Sequence, residues 1–232
     1  MNGLDRQAFE NRTKALGIDL LPQQIEQFAL YCDFLQERAK QFNLTAITQG
    51  SEIAEKHFID CLLVLSALTP GAIADVGSGA GFPGLCLKIA KPETAVVLLE
   101  PNQKKARFLK EVSGLLKLEV KVVTKRAEQA EELREYFPNV IARAVAPLAI
   151  LLELCVPLAA VGGRFVAMKG PKGEEEAKSA QSAAKLLAVQ LAEVQRKTLL
   201  DQSERLNLIY TKDQPTPKMY PRSYGLIKRH PL

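Results

Sequence analysis

The chain has 232 residues and a mass of 25.5 kDa, which at ~150 residues per domain makes one large domain or one domain with an appendage. Hydrophobic residues make up 47% and charged residues 25%, a balance that excludes disordered, collagen-like and miniature disulfide-stapled classes. Lys and Arg outnumber Asp and Glu by 31 to 26, and the excess is uneven: residues 1–70 hold six basic against nine acidic side chains, the last 37 hold eight against three. A polyanionic partner is therefore expected to engage the carboxy end first.

No apolar run approaches the ~18 residues of a membrane span, and Met1 to Glu10 alternates charged and apolar residues with no apolar signal segment. Cys32, Cys61, Cys86 and Cys155 are scattered, without a CxxC pair. They read as small core residues in a reducing compartment, so the expectation is a cytoplasmic protein with no membrane association.

The first 70 residues read as helical. Gly17 and Pro22 punctuate the approach to Ile25, Phe28, Cys32, Leu35, Ala39 and Phe42, which are spaced three or four apart and form one stripe on a helix of about five turns. Ser51 is suited to N-cap a further helix whose Ile53, Phe58, Cys61, Leu62 and Leu65 share a face. Thr69-Pro70-Gly71 then suggests a boundary, dividing the chain into an N-terminal helical extension over 1–70 and a second domain over 71–232.

Beyond it, short β-prone runs recur at 72–76, 94–99, 119–123, 139–142, 164–168, 193–199 and 206–210. Helical stretches at 83–90, 104–116, 128–136, 148–158 and 174–190 separate most of them. This alternation predicts an α/β, Rossmann-like architecture: a seven-stranded, mostly parallel sheet covered on both faces. The last two strands have only Leu200 to Arg205 between them, so they are expected to form an antiparallel hairpin at one edge.

The strongest local signal is Asp75-Val76-Gly77-Ser78-Gly79-Ala80-Gly81-Phe82-Pro83-Gly84, which leaves the first predicted strand and opens a helix. Gly79, Gly81 and Gly84 fit GxGxxG, a dinucleotide fingerprint; Asp75 with Gly77, Gly79 and Gly81 fits an acidic-x-GxGxG turn. A pyrophosphate needs amide donors and is repelled by a neighbouring carboxylate, whereas S-adenosylmethionine carries an ammonium and a sulfonium that a carboxylate favours. Glu100, at the end of the second predicted strand, stands where an acidic side chain accepts hydrogen bonds from ribose hydroxyls. Glu100 thus supports a nucleoside ligand, and Asp75 tilts the choice toward S-adenosylmethionine.

This turn looks like motif I of the class I S-adenosylmethionine-dependent methyltransferases. Further segments match in order and spacing: Asn43-Leu44-Thr45, His57-Phe58-Ile59-Asp60, Lys104-Lys105 with Phe108-Leu109, Arg126-Ala127-Glu128, Arg143-Ala144-Val145-Ala146, Lys169-Gly170 and Tyr220-Pro221-Arg222. Over about Phe42 to Leu232 the chain resembles the RsmG (GidB) family, bacterial enzymes that methylate N7 of a guanine in 16S ribosomal RNA. One departure is Cys61, where the family usually has serine.

The resemblance implies S-adenosylmethionine as cofactor and 16S rRNA or the small ribosomal subunit as partner; a monomer is the expectation. Gly77 and Phe82 would line the methionine side of the cofactor, with Asp75 and Gly79 in the same turn; Glu100 would hold the ribose, and Ala127 and Glu128 would flank the adenine. Arg143 would sit where cofactor and target base meet and position them. His57, Lys169 and Arg222 are candidate RNA contacts.

Guanine N7 loses no proton on methylation, so neither a general base nor a metal is expected; positioning suffices. Lys104, Lys105, Arg107 and Lys110 open a helix where basic residues oppose its dipole, which suggests an anionic neighbour. The segment from Thr211 to Leu232, with Tyr220 and Tyr224 among basic residues and prolines, reads as an RNA-facing tail. Three rivals stand beside this reading: a nicotinamide-dependent oxidoreductase, built on GxGxxG; a non-catalytic RNA-binding module, built on the basic tail; and a small-molecule methyltransferase.

Overall fold

In the computed structural model, which describes residues 3–42 and 44–232, seven strands form one sheet in the order β3-β2-β1-β4-β5-β7-β6. They are β1 (Ile73–Val76), β2 (Val96–Leu99), β3 (Lys121–Val123), β4 (Phe137–Arg143), β5 (Ala159–Lys169), β6 (Val189–Thr198) and β7 (Glu204–Lys212). The first five are parallel to one another. The link from β6 to β7 is too short for a crossover, so β7 returns antiparallel between β5 and β6. This is the expected edge hairpin, and β6, largely exposed, is the edge.

Side-chain alternation divides the sheet between two cores. Ile73, Leu98, Ile141, Val166 and Ile209 face the amino-terminal helices. These are α1 (Arg6–Ala15), α2 (Pro22–Phe42), α3 (Gly50–Ile53) and α4 (Asp60–Leu62), joined on the same face by α5 (Gly84–Ala90) and α6 (Gln103–Leu115). Ala74, Val76, Leu99, Val140 and Phe165 face the other way, against α7 (Leu148–Cys155), α8 (Gly173–Ser179), α9 (Gln181–Leu186) and α10 (Tyr224–Arg229). β1 is buried throughout, as suits a strand covered on both faces.

The stripe expected on α2 is the buried one: Ile25, Phe28, Cys32, Leu35 and Ala39 all lie in the core. Phe28 meets Phe9 of α1 at 5.1 Å and Phe58 at 5.0 Å between ring centroids. The amino-terminal helices are thus one lid of the sheet's own core. Asn139 of β4 fastens their end, accepting from the Thr69 N–H at 2.9 Å and donating to its carbonyl at 2.8 Å. Asn43 and the side chain of Phe42 lie outside the described residues.

Three local expectations are corrected. Ser51 lies inside α3, whose cap position is Gln49 without a side-chain bond; the helix then widens into a π-helical turn over Ala54–Ile59 before resuming as α4. The helix expected at 128–136 is two 3-10 turns, Ala127–Gln129 and Glu131–Leu133. Glu135 there takes a positive φ of 53°, and its N–H donates to the Pro157 carbonyl rather than back along a helix. The helix expected at 174–190 breaks at Ala180 into α8 and α9, and β6 follows Ala188, which has φ 58°.

Candidate active site

The loop from Gly77 to Pro83 leaves β1 at its carboxyl end, where an open α/β sheet places its ligands. Gly77, Gly79 and Gly81 have φ of 75°, 58° and 97°. A Cβ on Gly77 would stand 2.6 Å from Val145 Cγ2, and one on Gly81 would stand 2.4 Å from Leu85 Cδ1. Both the backbone conformation and the close approach therefore demand glycine at these two positions.

Most of the loop's amides are already committed. Gly77 and Ser78 N–H donate to the Leu99 carbonyl, and Gly81 and Phe82 N–H donate to the Ser78 carbonyl. Gly79 N–H donates to Glu100 Oε2 at 2.9 Å, and Gly84 N–H donates to Asp75 Oδ2 at 2.9 Å. Such a loop has little left to offer a pyrophosphate, and the Glu100 carboxylate stands beside it.

Asp75 is the strut beneath the loop and not part of the crevice wall. It is fully buried, and its Oδ1 has no hydrogen-bond partner. Burial pushes its carboxyl up to about 7, against the opposing effect of the Gly84 amide. The electrostatic role read from the sequence is thus exerted through packed protein. Glu100 sits at the exit of β2, its two oxygens accepting from the Gly79 and Asn102 N–H groups, the latter at 2.8 Å.

A crevice opens beside this loop, lined by Gly77, Leu99, Pro101, Ala127, Glu128, Val145 and Tyr224. Gly77, Ala127 and Glu128 are therefore brought together on one crevice. A larger apolar groove of about 530 Å³, which shares no lining residue with this crevice, lies between α8, α9 and β6.

On the other side of the loop, Phe82 gathers a polar cluster. The His57 ring stacks on it at 4.6 Å, and the Arg143 guanidinium lies 5.0 Å from its ring centroid. Arg143, the last residue of β4, donates through Nη1 to Asp60 Oδ2 at 2.7 Å and to the Lys56 carbonyl at 3.3 Å; its Nη2 is 3.3 Å from His57 Nδ1. The π-helical turn is what carries Lys56 and His57 to this point, just ahead of Asp60. His57 Nε2 meets Thr45 Oγ1 at 2.9 Å. Burial first, then the Arg143 charge, lowers the His57 pKa to about 4, so the ring is neutral near pH 7.

Two candidate RNA contacts have other work. Lys169 Nζ donates to the Ala146 carbonyl and to Glu176 Oε2, both at 2.8 Å. It thereby ties the loop after β4 to α8. Arg222 grips Glu153, which is wholly buried in α7, through its backbone N–H, Nε and Nη2, the last at 2.6 Å. Much of the carboxy-terminal segment is likewise strapped to the body rather than held out as a tail. Lys212 is buried against Glu135 and the Val156 and Ala159 carbonyls, and Arg134 holds the Thr216 and Tyr220 carbonyls.

The comparisons with known proteins bear on this geometry. The family model for GidB, rRNA small subunit methyltransferase G, matches residues 24–207. The chain belongs to this family. Relatives include "Ribosomal RNA small subunit methyltransferase G" of Pelotomaculum thermopropionicum, 45% identical over 94% of this chain and 95% of that protein. The protein of the same name from Clostridium tetani is 41% identical over 94% of each chain. Among solved structures, M. jannaschii TYW2 in complex with AdoMet superposes with a TM-score of 0.52 at 16% identity, covering 63% of this chain and 72% of that one. The fold is that of the class I S-adenosylmethionine-dependent methyltransferases. No helix among the described residues is long and apolar enough to cross a membrane.

Sequence reasoning misses two neighbours of the site, Tyr31 and Arg205, and misplaces a third, Tyr224, which reads in sequence as part of an RNA-facing tail. Tyr224 of α10 reaches the crevice with the Arg126 guanidinium 4.5 Å from its ring, so the chain's last helix forms part of the wall. Tyr31 of α2 donates from its hydroxyl to the Ala80 carbonyl and steadies the glycine loop from the helical lid. Arg205 of β7 adds a second cation at Asp60 Oδ1, 3.1 Å away. Each joins the site across a long stretch of sequence and carries no local motif.

Proposed function

We propose that the protein, acting as a cytoplasmic monomer, transfers a methyl group from S-adenosylmethionine to N7 of a guanine in 16S rRNA. The observation that carries the choice of cofactor is the state of the glycine loop. Most of its N–H groups are taken by Leu99, Ser78, Asp75 and Glu100, which leaves a glycine-walled crevice with Glu128 in its lining and poorly suited to a nicotinamide dinucleotide. Membership of the rRNA small subunit methyltransferase G family and the names of its relatives support the substrate.

In this reading Gly77, Gly79 and Phe82 border the methionine moiety and Glu100 accepts from the ribose. Ala127 and Glu128 flank the adenine, with Tyr224 beside them. Bound S-adenosylmethionine supplies an activated methyl. The side chains then have only to hold the acceptor, because N7 attacks through an in-plane lone pair and releases no proton. His57, neutral near pH 7, acts as a flat platform on Phe82. Arg143, fixed by Asp60 and His57, holds a positive charge where an electron-rich guanine edge is to be oriented. Catalysis by positioning needs this rigidity more than it needs a titrating group.

Thermal shift with S-adenosylmethionine and with NADH tests the cofactor. Labelled methyl transfer to small-subunit RNA lacking the modification, followed by mass spectrometry of the nucleosides, tests the product. Stabilisation by S-adenosylmethionine and the appearance of 7-methylguanosine are expected. Stabilisation by NADH alone, or a methyl on another atom, overturns the reading.

A further inference from the structure

The carboxyl rim of the sheet carries a second polar feature beside the crevice. α6 begins Gln103-Lys104-Lys105-Ala106-Arg107 and continues to Lys110, with no acidic residue in its first turn. Cations here oppose the helix dipole. Elsewhere some surface cations are answered by carboxylates, as Glu26 answers Arg6, Glu10 answers Lys14 and Glu132 answers Lys125, and others stand singly; what sets α6 apart is several such cations on one helix start beside a cleft. Among the described residues, no carboxylate lies within ion-pair distance of Lys104, Lys105, Arg107 or Lys110. Glu111, next in the chain, is turned toward Arg38 of α2 at 3.8 Å. The first-turn amides are not the binding element either, since the Asn102 side chain already accepts from Lys104 and Lys105 N–H.

Two of the unanswered side chains, Arg107 and Lys110, border a cleft. Gln103, Arg107 and Lys110 form one wall and Thr124, at the exit of β3, forms the other. Lys125 and Arg126 follow Thr124 directly and line the crevice beside Ala127 and Glu128. Cleft and crevice are therefore consecutive stations along one strand exit. Lys104, Arg107 and Lys110 are spaced three apart and cover about 9 Å of helix axis at ~1.5 Å per residue. That is a row, matched to a string of phosphates better than to a single one.

We propose that this row on α6, with Thr124 opposite, is the seat of the RNA backbone flanking the target nucleotide. It clamps a single-stranded or splayed segment by its phosphates while the base enters beside Phe82. The inference rests on the RNA methyltransferase reading and adds the surface that receives the substrate. Positive charge that strains an isolated helix becomes favourable once polyanion is bound, and the contact carries no sequence information.

The test is the full-length triple variant Lys104→Gln, Arg107→Gln, Lys110→Gln against wild type, with Lys172→Gln, Lys178→Gln, Lys185→Gln as a charge-matched control on exposed positions of another face. Affinity for a fluorescent small-subunit RNA fragment is measured across a salt series, alongside S-adenosylmethionine binding by calorimetry and thermal melting. In the triple variant RNA binding is expected to weaken by about tenfold near 0.1 M salt, and the slope of log K against log salt to fall by about two. S-adenosylmethionine affinity is expected to be unchanged, with a melting temperature no lower than wild type. An unchanged RNA affinity and salt slope in the folded variant overturns the proposal, as does an equal loss in the control. Failure of wild type to bind S-adenosylmethionine sinks the methyltransferase reading instead, and the calorimetric arm reports that separately.

Discussion

Arg143 and Asp60 form a largely buried ion pair, Nη1 to Oδ2 at 2.7 Å with side-chain exposures of 15% and 7%. The same carboxylate meets Arg205 through its other oxygen. Asp60 thus sets the position of Arg143 over Phe82, and Arg205 is the more exposed partner at 27%. Removing one partner of a buried pair leaves an uncompensated charge and costs about 3–5 kcal/mol, whereas a half-exposed pair contributes up to ~1 kcal/mol. Asp60→Asn is therefore expected to lower stability by several kcal/mol in urea unfolding and to depress methyl transfer further than it depresses the folded population. Arg205→Gln is expected to cost about 1 kcal/mol or less. Equal costs for the two variants would show that Asp60 is not the anchor of Arg143.

Gly77 combines a φ of 75° with a neighbour, Val145 Cγ2, 2.6 Å from where its Cβ would stand. Gly17 has a similar φ of 71° with nothing within 4 Å. The pair separates backbone strain from obstruction. Gly17→Ala is expected to cost about 1–2 kcal/mol of stability, the left-handed penalty for a residue with a Cβ, and to leave S-adenosylmethionine affinity unchanged. Gly77→Val is expected to pay the same backbone penalty and to lose at least ~100-fold in affinity, about 2.7 kcal/mol, because its branched side chain occupies the crevice. Calorimetric titration of both variants decides it, and an unchanged affinity in Gly77→Val would remove the loop from the cofactor site.

Arg222 illustrates where charge alone misleads. Its guanidinium is committed to the wholly buried Glu153, so Arg222→Ala strands a carboxylate in the core and is expected to cost about 3–5 kcal/mol. The salt dependence of RNA binding is expected to be unaffected in the fraction that remains folded. Replacing both residues, Arg222→Met with Glu153→Leu, removes the stranded charge and is expected to recover most of that loss. A single variant that melts like wild type but binds RNA with a shallower salt slope would restore the reading of Arg222 as an RNA contact.

The contrast between Gly77 and Arg222 shows which parts of the molecule are legible along the chain. The sheet and its covering helices follow from periodicity and turn residues, which are local, and the glycine loop is a single contiguous motif. Arg222, Lys169, Lys212 and Arg134 are equally conspicuous as letters, but their meaning depends on Glu153, Glu176, Glu135 and the 216–220 carbonyls brought near by the fold. A basic side chain beside a distant, buried carboxylate reads in sequence as free charge. The lost helix at 128–136 has the same origin: its residues favour helix, yet Arg134 and Glu135 are drawn into fastening the carboxy-terminal strap. Asp75 was found for its charge and works as a loop strut, since sequence gives proximity but not depth.

Depth also sets a pH signature, in which two buried groups pull in opposite directions. His57 is lowered from 6.5 to about 4 by burial and then by the Arg143 charge. Between those values the unfolded chain holds the extra proton, so this contribution to stability is fully present above about 6.5 and is lost as pH falls toward 4. Asp75 is raised from 3.8 to about 7, chiefly by burial. Between those values the native chain holds the extra proton, so its contribution is fully present below about 3.8 and is lost as pH rises through 7. Each slope is ~1.4 kcal/mol per pH unit within its window, and over most of pH 4 to 6.5 they cancel. Wild type is therefore expected to show a flat contribution from this pair in that range and a decline from 6.5 to about 7. His57→Gln removes the rising arm and is expected to make stability fall steadily with pH from 4 to 7. Asp75→Asn, whose amide oxygen still accepts from Gly84, removes the falling arm and is expected to make stability rise from 4 to 6.5. Urea unfolding midpoints of the three proteins at half-unit pH intervals measure this directly. Parallel profiles for wild type and Asp75→Asn would show that Asp75 ionises normally and that its burial beneath the loop has been misjudged.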